Sequence, residues 1–244
     1  MKHGKERKMS IKVVLFDLDG TLLPMDQNHF LKTYLGKLAA RLAPHGYDPQ
    51  EFLAAMWRST GAMVGNDGTK TNERAFWDAF SAILGTRVLD DYSVFEAFYD
   101  EEFDSVGPIV AKPTEKARAL IEALHARGIR TALATNPLFP TVATEKRIAW
   151  AGLKTSDFEL FTTYENAVYS KPNPKYYLAI ADQLGVDPAE CVMVGNDVDD
   201  DMVAASLGMK VFLLTDHLIN KSGTDISQYP NGDFDALAAF LKEI

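Results

Sequence analysis

Cysteine is almost absent. Cys191 is the one thiol in 244 residues, so no internal disulfide can form and no secreted disulfide framework is present. Long apolar runs are missing too: the sharpest, Val13 to Phe16, stops at an aspartate, far short of a membrane span. Met1 to Ser10 carries Lys2, Lys5, Arg7 and Lys8 with no apolar segment behind them, so no signal peptide is expected and the cytoplasm is the expected location. The histidines, His3, His29, His45, His125 and His217, are scattered without zinc-ligand spacing. Positive charge is in short supply, 25 Lys and Arg against 34 Asp and Glu, for a formal net charge of -9. Such a surface repels phosphate backbones and anionic lipids, which argues against nucleic acid or membrane as partner. It does not exclude a small anionic ligand in a pocket where a few cations are concentrated. No internal repeat or low-complexity segment occurs. With 47% hydrophobic and 24% charged residues, the composition is ordinary for a folded chain with a sizeable core.

What is present is alternation. Ile11 to Phe16 reads IKVVLF and runs into Asp17-Leu18-Asp19-Gly20, the pattern of a strand buried on both faces. From Asp26 to about Phe103 the spacing is helical instead: Leu31, Leu35, Leu38 and Leu42, then Phe76, Phe80 and Leu84, with Phe95, Phe98 and Tyr99 beyond. A glycine-rich loop, Gly61 to Thr69, lies between them. After Gly107-Pro108, strand and helix alternate. A helix capped at Thr114 and closed by Gly128 has Ala117, Leu120, Ile121 and Leu124 on one face. Strands are predicted at Ile129 to Ala134, Phe158 to Thr162, Cys191 to Val194 and Lys210 to Leu214, with helices over 142–151, 174–184, 199–207 and 233–241. The expected architecture is α/β: a doubly wound, Rossmann-like parallel-sheet core with an inserted all-helical cap. The predicted division is core at 9–23 and 108–244, cap at 24–107, and an N-terminal extension at 1–8.

In such sheets ligands sit at the carboxyl ends of the strands. Those ends deliver Asp17 and Asp19, then Thr135 and Asn136, then Gly195, Asn196, Asp197 and Asp201; Lys171 follows the predicted Phe158–Thr162 strand. Clustered carboxylates repel one another, and a hard cation with oxygen ligands relieves this; magnesium takes one or two carboxylates with water and phosphate. A shielded carboxylate can attack phosphorus, and a second can protonate the leaving alkoxide and later deprotonate water. A hydroxyl, backbone amides and an ammonium can neutralise phosphoryl oxygens.

Asp17-Leu18-Asp19-Gly20-Thr21-Leu22, Ala134-Thr135-Asn136, Lys171-Pro172 and Gly195-Asn196-Asp197 with Asp201 together resemble the haloacid dehalogenase superfamily, which is mostly phosphatases. The motifs occur in the family's order and span the whole core. The resemblance implies a phosphatase acting on a small phosphorylated metabolite through an aspartyl-phosphate, with Mg2+ as cofactor. It casts Asp17 as nucleophile and metal ligand, and Asp19 as general acid/base with its carbonyl on the metal. Thr135 and the Asn136 amide would hold the phosphoryl group, Lys171 would balance charge, and Asp197 would ligate the metal. Asp201 would support the metal directly or through water. Asn196 sits where many relatives have the first aspartate, and the neighbouring acids leave open whether Asp200 or Asp201 plays the supporting part.

Other residues have plainer readings. Cys191 is expected as a small core residue. Trp57, Trp77 and Trp150 are expected to pack helices. In the cap loop, Asn66, Asp67, Thr69 and Lys70 are candidates for substrate specificity, because loops carry specificity more often than helices do. Asp19 and Asp197 argue against a metal-free dehalogenase. A sugar phosphomutase, a phosphonate hydrolase using one of Lys32, Lys37 and Lys70, and a phosphate-binding relative without turnover are the alternatives.

Overall fold

The computed structural model of the protein describes residues 10–244; the extension predicted for residues 1–8 lies outside the described residues. The sheet is entirely parallel. Its strands are β1 (Val13–Phe16), β2 (Arg130–Leu133), β3 (Cys191–Gly195), β4 (Lys210–Leu214) and β5 (Asn231–Gly232), in the order β2-β1-β3-β4-β5. The order reverses around β1, which places the ligand crevice of such a sheet outside the ends of β1 and β3. β1 pairs with β2 and β3 in register, Phe16 facing Leu133 on one side and Val194 on the other.

Alternate residues of β1 feed two cores. Val14 and Phe16 join the cluster that runs to the inserted helices, whereas Val13 and Leu15 pack with Tyr176, Tyr177 and Ile180 on the other face. All four are fully buried, which explains why the strand reads as an unbroken apolar run.

The insertion between β1 and β2 is helical: α1 (Gln27–Leu42), α2 (Pro49–Val64), α3 (Asn72–Leu84), α4 (Arg87–Asp90), α5 (Tyr92–Glu101) and α6 (Gly107–Val110). Asp26, Asp48 and Thr71 cap α1, α2 and α3 by accepting backbone N–H groups in their first turns. The chain enters and leaves this insertion side by side, with a bridge between Met25 and Ala111 and the Lys112 N–H donating to Pro24 O at 2.9 Å. α7 (Glu115–Ala126), α8 (Thr141–Trp150), α9 (Pro174–Leu184), α10 (Val198–Asp201) and α11 (Phe234–Lys242) complete the molecule. Among the described residues no helix is long and apolar enough to cross a membrane.

Two expectations are corrected, and one strand is additional. The predicted strand at Phe158–Thr162 is an irregular edge segment. It exchanges hydrogen bonds with β2 but forms one bridge, Phe161 to Leu133, because Glu159 is exposed and Leu160 and Phe161 are only half-buried. The predicted helix over 199–207 is a short α-turn that tightens into a 3-10 helix at Met202–Leu207. The two-residue β5 carries no apolar signal and was not expected.

Candidate active site

Asp17 continues β1 by one residue, donating its N–H to Val194 O at 2.9 Å, and so stands at the carboxyl edge of the sheet. The chain then turns at Gly20, which has φ +86° and packs so closely on Asn196 that a Cβ would collide with it. This contact joins the first motif to the loop after β3. Thr21 Oγ1 strengthens it by donating to Asn196 Oδ1 at 3.0 Å, with a longer contact of 3.4 Å to Asp17 Oδ2.

Lys171 crosses between the two acidic strand ends. Its Nζ donates to Asp17 Oδ1 at 2.8 Å and to Asp201 Oδ1 at 2.6 Å, and all three side chains are almost completely buried. Asp201 Oδ2 accepts the Asp197 N–H at 2.9 Å. Asp197 in turn caps α10, its Oδ1 accepting from the N–H groups of Asp199 and Asp200. Asp201 therefore braces Lys171 and Asp197 together. Asp200 has a different partner: its Oδ2 accepts from Asn136 Nδ2 at 3.2 Å.

A second cation reaches the site that sequence reasoning missed. Arg147 of α8 is fully buried, lies 4.3 Å above the Phe139 ring, and donates through Nη1 to Asp19 Oδ2. The available signal was its place on the apolar face of α8, with Ala143, Thr144 and Ile148.

Burial dominates the electrostatics. It pushes the Asp17 carboxyl up to about 7, with Lys171 pulling down and Asp201 and Asp19 adding to the rise. Asp200 is pushed up to about 6 by burial, against the pull of Lys171. Burial also raises Asp19, with Arg147 opposing, and Asp197. At Lys171 burial works against the charge, but Asp17 and Asp201 outweigh it and hold the ammonium well above its ordinary range.

The predicted residues Asp17, Asp19, Thr135, Asn136, Lys171, Asp197 and Asp201 all line one cavity of about 510 Å³ between the sheet edge and the inserted helices. The four cap-loop candidates do not reach it. Asn66 is buried and donates to Lys70 O and Asn72 Oδ1, Asp67 and Thr69 bond each other at the surface, and Lys70 pairs with Asp78. The loop instead serves as a latch. Asn72, fully buried at the start of α3, donates to Pro137 O at 3.1 Å and to Ser170 Oγ at 3.0 Å, beside Lys171. Trp57, expected to pack helices, stands exposed in the cavity wall; Trp77 packs against Phe95 and Tyr92 of α5 as expected and also lines the cavity, and Trp150 packs on Phe103 as expected. Cys191 is buried in the core, as expected.

Comparisons with known proteins agree with this fold. Hexitol phosphatase A of Escherichia coli is 32% identical over 186 residues, covering 76% of this chain and 74% of its own. Pyrophosphatase PpaX of Bacillus pumilus is 25% identical over 201 residues, 82% of each chain. A phosphoglycolate phosphatase of Xylella fastidiosa is 27% identical over 202 residues, 81% of this chain and 77% of its own. Among solved structures, a 2-haloacid dehalogenase from Pseudomonas syringae shares the fold with a TM-score of 0.65 at 19% identity, over 96% of this chain and 99% of that one. A HAD phosphatase from Thermococcus onnurineus gives 0.58 at 22% identity, over 95% and 98%. A family model described as haloacid dehalogenase-like hydrolase matches residues 11–208, and the chain belongs to that family as an enzyme of the phosphatase type.

Proposed function

We propose that the enzyme hydrolyses a small-molecule phosphomonoester in the presence of magnesium, with Asp17 as nucleophile. The observation that carries this reading is the Asp17–Lys171–Asp201 chain at the end of β1. A carboxylate is held there against a buried ammonium, at the edge of a cavity large enough for a metabolite. The ammonium opposes the rise that burial imposes on Asp17 and stands ready to neutralise a phosphoryl oxygen. An Asp17 oxygen attacks phosphorus and the ester P–O bond breaks, while the departing alkoxide takes a proton from Asp19. Asp19 then takes a proton from water, whose oxygen attacks the acyl phosphate; phosphate leaves and Asp17 is restored. Thr135 and the Asn136 N–H hold the phosphoryl oxygens, and the helical cap keeps bulk water out.

The donor set fits magnesium. Among the described residues no group of three or more His, Cys, Asp or Glu side chains is disposed as a metal cage. Magnesium asks for less: one or two carboxylates, completed by water and phosphate oxygens. Asp17 and Asp197, with the Asp19 carbonyl, would hold it. Asp201 has both oxygens engaged, by Lys171 and by the Asp197 N–H, and supports the site from behind. Among the described residues, Asp17, Asp19, Asp197, Asp200 and Asp201 are opposed by Lys171 and Arg147, with Lys221 acting on Asp197, and buried Asp19 Oδ1 and Asn136 Oδ1 have no hydrogen-bond partner. When bound, magnesium shields this excess negative charge and that of the phosphoryl group. We further propose residues 9–23 and 108–244 as core and 24–107 as cap, with the chain crossing between them at Met25 and Ala111, so that the short α6 belongs with the cap side of that boundary, and a location in the cytoplasm.

The test is release of phosphate from acetyl phosphate and a panel of phosphomonoesters, with magnesium and with chelator, by the wild type and Asp17→Asn. Turnover is expected only with the metal and only in the wild type. Activity that survives chelator, or the Asp17→Asn change, would overturn the mechanism. Chloride release from 2-chloropropionate without metal would point to dehalogenation instead.

A further inference from the structure

The cavity has two unlike ends. At the sheet edge it is polar, with Asp17, Asn136 and Lys171. The helices of the insertion line the other side with Leu35 of α1, Met56 and Trp57 of α2, Phe76 and Trp77 of α3, and Tyr99 of α5. Charge in the wall is one-sided. Among the described residues nine carboxylates line the cavity and one cation, Lys171, which is already bonded to Asp17 and Asp201; Arg147, reaching Asp19 from α8, is likewise already paired. Glu96 and Asp100 of α5 and Glu145 of α8 add negative charge away from the sheet edge. A second carboxylate or phosphate on the substrate would therefore meet no free cation in the wall and several like charges. A magnesium ion held by Asp17 and Asp197 would serve the transferred phosphoryl group at the polar end and leave the other end unchanged.

Trp57 sharpens the point. It is 53% exposed, so its indole contributes little to the fold, yet it stands in the wall of this cavity. A single exposed apolar residue is ordinary. One that joins Leu35, Met56, Phe76, Trp77 and Tyr99 on one side of a cavity of about 510 Å³ in all makes an apolar receptacle large enough for a ring. Resting on the phosphatase reading above, we propose that the substrate is a phosphomonoester of a ring-sized, largely apolar, uncharged alcohol. The inserted helices bind the alcohol, and esters bearing a second anionic group are rejected.

The experiment compares kcat/KM of the full-length enzyme with magnesium for 2-phenylethyl phosphate, glycerol 1-phosphate and phosphoglycolate, with acetyl phosphate as a probe too small to need the receptacle. The expected result is a kcat/KM for 2-phenylethyl phosphate at least about tenfold above both glycerol 1-phosphate and phosphoglycolate, since single apolar groups in such pockets discriminate by roughly 10–200-fold. Trp57→Ala should lower the ratio of 2-phenylethyl phosphate to acetyl phosphate turnover about tenfold, chiefly through KM, and Trp57→Phe should restore most of it. Because Trp57 is more than half exposed, folding of these variants is not at stake. Metal-dependent turnover of acetyl phosphate with equal or better use of phosphoglycolate or glycerol 1-phosphate would overturn the proposal and leave the phosphatase reading standing. So would a ratio unmoved in Trp57→Ala. No turnover of any ester, acetyl phosphate included, would overturn both.

Discussion

Arg147 and Asp19 form a buried ion pair that links α8 to the loop after β1. The guanidinium donates to Asp19 Oδ2, while Oδ1 of the same carboxylate is buried without a partner among the described residues. Arg147 is itself fixed, its Nε donating to Ala143 O at 3.3 Å and its plane lying over Phe139. The pair orients Asp19 and moderates the upward push of burial on its carboxyl.

Removing the guanidinium has a direction that follows from this. In Arg147→Met the Asp19 carboxyl loses the cation that pulls it down, so it stays protonated to higher pH. Wherever ionised Asp19 must act as base, the acidic limb of the kcat profile should move to higher pH. Because the proton-transfer step itself contributes roughly 10²–10⁴-fold, kcat at neutral pH should fall by about tenfold or more. A pH–rate profile of the two proteins checks this; an unmoved acidic limb would mean that Arg147 only packs the helix.

Metal and pH should be linked in stability as well. Asp17 and Asp200, at about 7 and about 6, lie above their ordinary carboxylate value in the folded protein. The folded chain then binds more protons than the unfolded chain between about pH 4 and 7, so metal-free stability should fall as pH rises through that window. Magnesium binds the ionised carboxylates and so should raise the melting temperature more at pH 8 than at pH 5. Thermal melts at the two pH values, with and without magnesium, decide it. A larger magnesium effect at pH 5 would contradict the assignment of Asp17 to the metal.

Part of this arrangement was legible from sequence, and the reasons are physical. A strand buried on both faces must be apolar throughout, so its abrupt end in Asp17-Leu18-Asp19 stands out. Asp197 stood out as an acid just past a strand end, and Lys171 through the resemblance of Lys171-Pro172 to the family's motif, since the segment before it is not a strand of the sheet. The cavity wall was not legible. Leu35, Phe76 and Tyr99 recur at helical spacing whether the face they share packs against protein or encloses a void, and periodicity cannot separate the two. Arg147 is marked as inward-facing only by the burial of its neighbours Ala143 and Ile148, which the mixed pattern of α8 does not reveal. The cap loop misled for a related reason. Asn66 and its neighbours have the composition of a ligand loop, but their hydrogen bonds close the loop on itself and, through Asn72, onto the segments at Pro137 and Ser170.

Gly195 offers the sharpest test of the brace behind Asp17. It ends β3, and a methyl group there would occupy the position of the Asp201 carboxylate. Asp201 has nowhere to retreat, since it is fully buried and holds Lys171 with one oxygen and the Asp197 N–H with the other. In Gly195→Ala, Asp201 must shift, Lys171 loses the carboxylate that anchors it, and Asp197 moves with the start of α10. Misplacing catalytic groups by about 1 Å can cost roughly 10²-fold, so kcat should fall by about that factor or more. Overpacking of this kind should also cost about 1–3 kcal/mol of stability. Gly185→Ala separates the two effects. Gly185 closes α9 at φ +63° with open space around it, so alanine there strains the backbone by about 1–2 kcal/mol without touching the site. Both variants should denature at lower urea, but only Gly195→Ala should lose turnover per folded molecule. Equal kcat in the two would show that Asp201 does not hold Lys171 in its working position.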